Sequence, residues 1–193
     1  MARAAVKSNR SKRRLPLTGI ILGILAVAGL SLLVYAVWDS QRPVPSLGEA
    51  FPIASREHIS TGQKATDFNS DPPTSGQHYD LPASPGYYDV APLDEQLVHN
   101  LEHGYVIIYY DCEVRSDVNC DDLVAELQSE MRGEAISSFT RTPKLIVAPR
   151  PGMGNLITYT SWGHLHRADE FDPDTMREYI ILYLDKAPEP NAQ

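Results

Sequence analysis

Residues 94–110 read DEQLVHNLEHGYVIIYY, and the two halves of this stretch have opposite characters. In Asp94–His103 the apolar Leu97, Val98 and Leu101 recur at helical spacing, acids open the first turn, and Gly104 stands where a helix stops. A short helix is predicted there. Tyr105–Tyr110 is almost entirely β-branched or aromatic, the composition of a strand covered on both faces and therefore central in a sheet. Farther along, Asp121–Arg132 places Leu123, Leu127 and Met131 on one helical stripe with Val124 beside them. Lys144–Ala148 (KLIVA) and Leu156–Trp162 (LITYTSW) read as further strands, paired as a hairpin around the turn Pro149–Gly154. Asp172 offers a capping acceptor ahead of Pro173, and Met176, Tyr179, Ile180 and Tyr183 share one face of a last helix running to about Asp185. Strands interleaved with helices over about 130 residues predict a compact α+β domain with a small sheet and about three helices.

Upstream the chain changes character. Residues 61–88 carry Pro72, Pro73, Gly76, Pro82, Pro85 and Gly86, which predicts an ordered loop packed on the core rather than regular structure. Residues 39–60 are rich in Pro, Ser and Gly without apolar periodicity and read as a tether. Before them, Leu15–Trp38 (LPLTGIILGILAVAGLSLLVYAVW) contains no charged residue and is long enough, at about 1.5 Å per helical residue, to span a bilayer with tilt. Six cations precede it (Arg3, Lys7, Arg10, Lys12, Arg13 and Arg14), a bias that holds residues 1–14 in the cytoplasm and places everything after Trp38 outside. Tyr35 and Trp38 suit the membrane interface. Ala26-Val27-Ala28 resembles a signal-peptide cleavage site, but the apolar run exceeds the usual length of about 7–15 residues, so a retained signal anchor is the reading carried forward. The lipid bilayer is thus the expected partner of residues 15–38.

All 25 acidic residues lie after Trp38, where 11 basic residues leave a formal charge of −14. That repels phosphate backbones and argues against nucleic-acid binding. No nucleophile-elbow, P-loop or dinucleotide-binding glycine pattern occurs. Cys112 and Cys120 fall on the oxidising side of the expected topology and read as a disulfide closing a loop of about nine residues, worth about 2.5 kcal/mol by loop entropy. Two thiolates alone would make an incomplete zinc site, and the spacing is not that of a redox pair.

The candidate chemistry lies in His99-Asn100-Leu101-Glu102-His103. On a helix, His99 and His103 project from one face a turn apart, the geometry that chelates a metal. His78, on the loop Ser75-Gly76-Gln77-His78-Tyr79, is the expected third ligand, and Met153 a soft fourth. Imidazoles, with or without a thioether, favour copper or zinc over calcium. Glu102, Ser75 and Tyr79 are expected to support the rings from behind. His-x-x-Glu-His also matches the inverted zinc-peptidase motif, with Glu102 as base, on a pattern of low specificity. The alternative is that both imidazoles and Glu102 merely hydrogen-bond the Pro-rich loop. His164 and His166 alternate about Leu165 and read as exposed residues of a strand.

Taken together, Asn69-Ser70-Asp71-Pro72-Pro73-Thr74-Ser75-Gly76-Gln77-His78-Tyr79, Leu97–Gly104, Thr160-Ser161-Trp162-Gly163 and Asp169-Glu170-Phe171-Asp172 resemble the family called domain of unknown function 3105, bacterial proteins that often carry one N-terminal membrane anchor. The resemblance covers roughly residues 61–188, leaving 189–193 as a tail. It departs from the family pattern at Asp71, Gln77, Tyr105 and Ser161, none of which removes an imidazole. The family implies no activity. The expectation is a membrane-anchored extracytoplasmic metal-binding or accessory protein. The alternatives are a non-catalytic module that engages another envelope protein and, third, a metal-dependent hydrolase.

Overall fold

The structure, a computed structural model, describes residues 17–40, 46–133 and 144–191. The expected basic tail 1–14 and the last two residues lie outside this range. The chain divides into two compact units, Met1–Val44 and Pro45–Gln193. In the first, helix α1 (Leu17–Ser40) contains a span, Thr18–Trp38, of mean hydropathy 2.6, long and apolar enough to cross a membrane.

The second unit is an α+β fold around a six-stranded mixed sheet. Its strands are β1 (Glu49–Ala50), β4 (Gly86–Tyr87), β5 (Val106–Tyr110), β6 (Leu145–Pro149), β7 (Ile157–Ser161) and β8 (His164–Ala168), in spatial order β1-β8-β7-β5-β6-β4. Strand β5 is interior and fully buried, as its composition requires. Val106, Ile108 and Tyr110 face one apolar layer with helices α3 (Cys120–Arg132) and α4 (Pro173–Tyr183), which contribute Leu123, Leu127, Met176, Tyr179 and Ile180. Ile107 and Tyr109 face the other layer, against Leu97, Val98 and Leu101 of α2 (Asp94–Glu102). The strand's period of two and the helix's apolar stripe thus meet in the core.

The strand pairing differs from the expected hairpin. Strand β6 runs parallel to β5, while β7 pairs antiparallel with β5 on the opposite edge. The cause is α3: a helix between β5 and β6 returns the chain parallel, which frees the other edge of β5 for β7. The hairpin is instead β7–β8, turning at Gly163. Asp172 caps α4, accepting from the N–H groups of Asp174 and Thr175 with Pro173 at the first turn. Cys112 and Cys120 are joined as a disulfide, linking a 3-10 turn (Cys112–Val114) to the start of α3.

The stretch read as a tether is more ordered than expected. Glu49–Ala50 adds the edge strand β1 to β8, and β2 (His58–Ile59) pairs in parallel with β3 (His78–Tyr79) as a separate small sheet. Strands of two residues leave no periodic trace in a sequence, so Pro and Gly content alone misled the reading. The C-terminal end is likewise fastened: the Glu189 N–H donates to the Glu102 carbonyl at 3.1 Å, and Lys144 Nζ donates to Asp185 and to the Pro190 carbonyl. Gly104, at φ +85°, lets the chain turn from α2 into β5 and accepts at its carbonyl from the Asp185 N–H at 2.9 Å.

Candidate metal centre

Helix α2 is buried nearly all round. Its apolar stripe lies on the sheet, and its opposite side, carrying His99, Asn100 and Glu102, is covered by the Pro-rich loop. Buried polar groups in such a place need partners. Asn100 exchanges two hydrogen bonds with the backbone of Ala83, both at 2.9 Å, and His99 Nδ1 donates to the Tyr79 carbonyl at 2.5 Å. The loop is itself stitched by the Asn69 side chain, which accepts from the Thr74 and Ser75 N–H groups. Ser75 Oγ accepts from the Ala54 N–H at 3.0 Å, tying the loop to the segment that leads into β2.

That segment delivers an imidazole not assigned from sequence. In the β2–β3 register His58 stands opposite His78, and residues in register point to the same face. Their ring centres are 4.8 Å apart. His99 lies 5.3 Å from each, and one ligand nitrogen of each ring falls within 4.8 Å of the other two. His78 and His99 are buried, and His58 opens to solvent.

Two rings of the trio are fixed by backbone carbonyls: His78 Nδ1 donates to Gly76 at 2.7 Å and His99 Nδ1 to Tyr79. His58 Nδ1 makes an ion-pair contact with Asp80 Oδ1 at 2.5 Å. A carbonyl oxygen only accepts, so Nδ1 of His78 and of His99 carries a proton, and Nε2 is the ligand nitrogen each ring offers when neutral. This is the arrangement that orients metal-binding histidines. Burial lowers the His99 pKa, with the facing rings of His103, His78 and His58 adding to the effect, so its ring is neutral and its lone pair free.

Glu102 faces two of the three rings. Its Oε2 lies 3.1 Å from His78 Nε2 and 3.8 Å from His58 Nε2, and its Oε1 accepts from Arg56 Nε. Burial acts to raise its pKa, but the hydrogen bond from Arg56 and the charge of His78 outweigh it and hold the carboxyl below its ordinary value. Arg56 in turn bonds Glu189 Oε1 at 2.6 Å.

The remaining expected residues fall differently. His103 packs 4.3 Å from His99, one turn along, as predicted, but the group of three is completed by His58. Its Nε2 stands 3.8 Å from Glu189 Oε2, and its buried Nδ1 has no hydrogen-bond partner among the described residues. Met153 does not join the imidazoles. It packs against the apolar layer under α2, and its N–H donates to Asp111 Oδ2 at 3.1 Å. Arg150, just before it, pairs with Asp94 at the start of α2, whereas His99 and His103 lie about 7 and 13 Å farther along the helix axis. Tyr79 supports His99 through its main-chain carbonyl, and its hydroxyl donates to the Gln63 carbonyl. His164 and His166 lie on β8, partly exposed, with Leu165 buried between them, as expected of a half-covered strand.

Six histidines occur in the chain, and His58 is the one whose surroundings gave no signal. It stands in a Pro- and Ser-rich stretch, on a strand of two residues.

Residues 58–193 match the family described as Protein of unknown function (DUF3105), and the match begins at His58. No curated protein and no solved structure matches the chain.

Proposed function

We propose that this chain, which belongs to the DUF3105 family, is a membrane-anchored extracytoplasmic protein that binds a transition metal, zinc or copper, through His58, His78 and His99. One observation carries the reading. Three imidazoles from three separate segments each bring one ligand nitrogen within 4.8 Å of the other two, and the buried pair, His78 and His99, is fixed by Nδ1 hydrogen bonds to backbone carbonyls. Nitrogens around a tetrahedral zinc, with bonds of about 2.1 Å, stand about 3.4 Å apart, so small ring movements complete the site. Neutral imidazoles suit zinc and copper alike. The anchor rests on the apolar helix α1, and the orientation on the six cations before it.

The test is a titration of the full chain in detergent, stripped of metal, with zinc and then copper. A stoichiometry of one ion per chain, abolished in the His58→Ala/His78→Ala/His99→Ala variant, is expected. Equal uptake by wild type and variant would contradict the proposal and leave the imidazoles as hydrogen-bonding groups of an interaction module.

A further inference from the structure

We infer that Glu102 is the fourth ligand of this centre, binding through Oε2 and closing it, so that the site holds a zinc-class cation in a cage of three imidazoles and one carboxylate. The inference rests on the metal reading above and adds the coordination number and the kind of work the site does.

Adjacent corners of a tetrahedron with bonds of about 2.1 Å are about 3.4 Å apart. Glu102 Oε2 stands 3.1 Å from one ligand nitrogen and 3.8 Å from another, on either side of that separation. His78 Nδ1 already donates to Gly76, so the 3.1 Å hydrogen bond between His78 Nε2 and Glu102 Oε2 requires a second proton on the ring. A bound cation takes the place of that proton between the two atoms.

The carboxylate is divided between two tasks. Oε1 turns outward to Arg56, itself fixed by Glu189, and Oε2 turns inward to the imidazoles. Arg56 therefore does for Glu102 what the Gly76 and Tyr79 carbonyls do for His78 and His99: it holds the ligand in orientation from behind. Arg56 is a positioning residue. A general base would need its free oxygen aimed at a water on an open metal position, whereas this oxygen faces ligand nitrogens. A four-ligand site keeps no such position, which suits holding or handing over an ion rather than hydrolysis.

The test uses the full chain in detergent with Zn²⁺ and Co²⁺ as probes. Wild type is expected to bind one Co²⁺ with an intense four-coordinate visible spectrum that excess azide leaves unchanged, because no coordination position is free. Glu102→Gln should lower zinc affinity, measured by chelator competition, by more than the about 10–100-fold typical of groups behind ligands, and should make the cobalt spectrum azide-sensitive. Arg56→Ala should lose affinity within that range and keep the four-coordinate spectrum. An azide-sensitive wild-type spectrum, which needs no variant to fold, would overturn the inference, as would undiminished zinc affinity in Glu102→Gln; in either case the three-histidine reading would stand. A wild type that binds neither ion would remove both.

Discussion

The rings of His58 and His99 lie 5.3 Å apart, centre to centre, with their planes inclined by 22°, although one belongs to a two-residue strand in a Pro-rich stretch and the other to a buried helix. The link between them is His78, in register with His58 through β2–β3 and held beside α2 by the Tyr79–His99 hydrogen bond. The centre thus depends on packing between segments rather than on any one motif.

His58→Ala is accordingly expected to weaken zinc binding as severely as His78→Ala or His99→Ala, by more than about 100-fold. His103→Ala should cost far less. Chelator competition on the four single variants checks this ordering, and a His103→Ala loss equal to the others would return His103 to the ligand set.

Asp80 separates binding from stability. Its side chain is 77% exposed and forms an ion pair with His58 Nδ1 at 2.5 Å, so its removal costs the fold little, at most about 1 kcal/mol. It should nevertheless lower zinc affinity by about 10–100-fold by freeing the His58 ring. Thermal melts and zinc titrations of Asp80→Ala measure the two effects, and unchanged affinity would show that the brace does not matter.

Acid should weaken the metal-free domain in two stages. Burial holds the imidazoles of His99, His103 and His166 below their ordinary pKa. Such groups contribute stability that is complete above the unfolded value of about 6.5 and is lost as pH falls toward the folded value, since the unfolded chain then binds more protons. Glu102, held low by Arg56 and His78 against its burial, adds stability that is complete above its ordinary value of 4.5 and is lost below it. Melting temperatures should fall first below about pH 6.5 and again below about pH 4.5. A flat profile between about pH 7.5 and 5 would contradict the first stage.

How much of this was legible beforehand follows from element length. The α2–β5 pair, α3 and α4 each run long enough to show a period or a cap, and the stripe Leu97, Val98, Leu101 and the cap Asp172 behave as their spacing requires. His78 and His99 were legible because a helix face and a Gly-containing loop pointed to them. His58 was not, because register between two-residue strands is set by tertiary packing, which no local pattern encodes. Met153 misled for the converse reason. A thioether near Gly suggests a ligand by chemistry alone, but its position at the Asp94 end of α2 is a matter of topology.

Breaking the Cys112–Cys120 bond with paired Ser substitutions should cost about 2.5 kcal/mol of stability, measured by denaturant unfolding. It should leave zinc affinity unchanged, because the bond follows the C-terminal end of β5 whereas His99 and His103 precede its start, about 16 Å away along the strand. A fall in affinity would reveal coupling through the sheet.

Gly104→Ala should destabilise by more than about 1–2 kcal/mol, the cost of the left-handed backbone alone. The new Cβ would also meet Asp185 Cα at 2.7 Å, so the clasp between residues 104 and 185 must open. Denaturant unfolding checks the loss, and a variant as stable as wild type would contradict the turn assignment.

The most direct measurement is a crystal structure of the full chain grown with zinc, with diffraction recorded on both sides of the zinc absorption edge. The account predicts one anomalous peak per chain, about 2.1 Å from a ring nitrogen of each of His58, His78 and His99. Zinc-loaded crystals without a peak among those rings, or with the peak elsewhere on the domain, would contradict it.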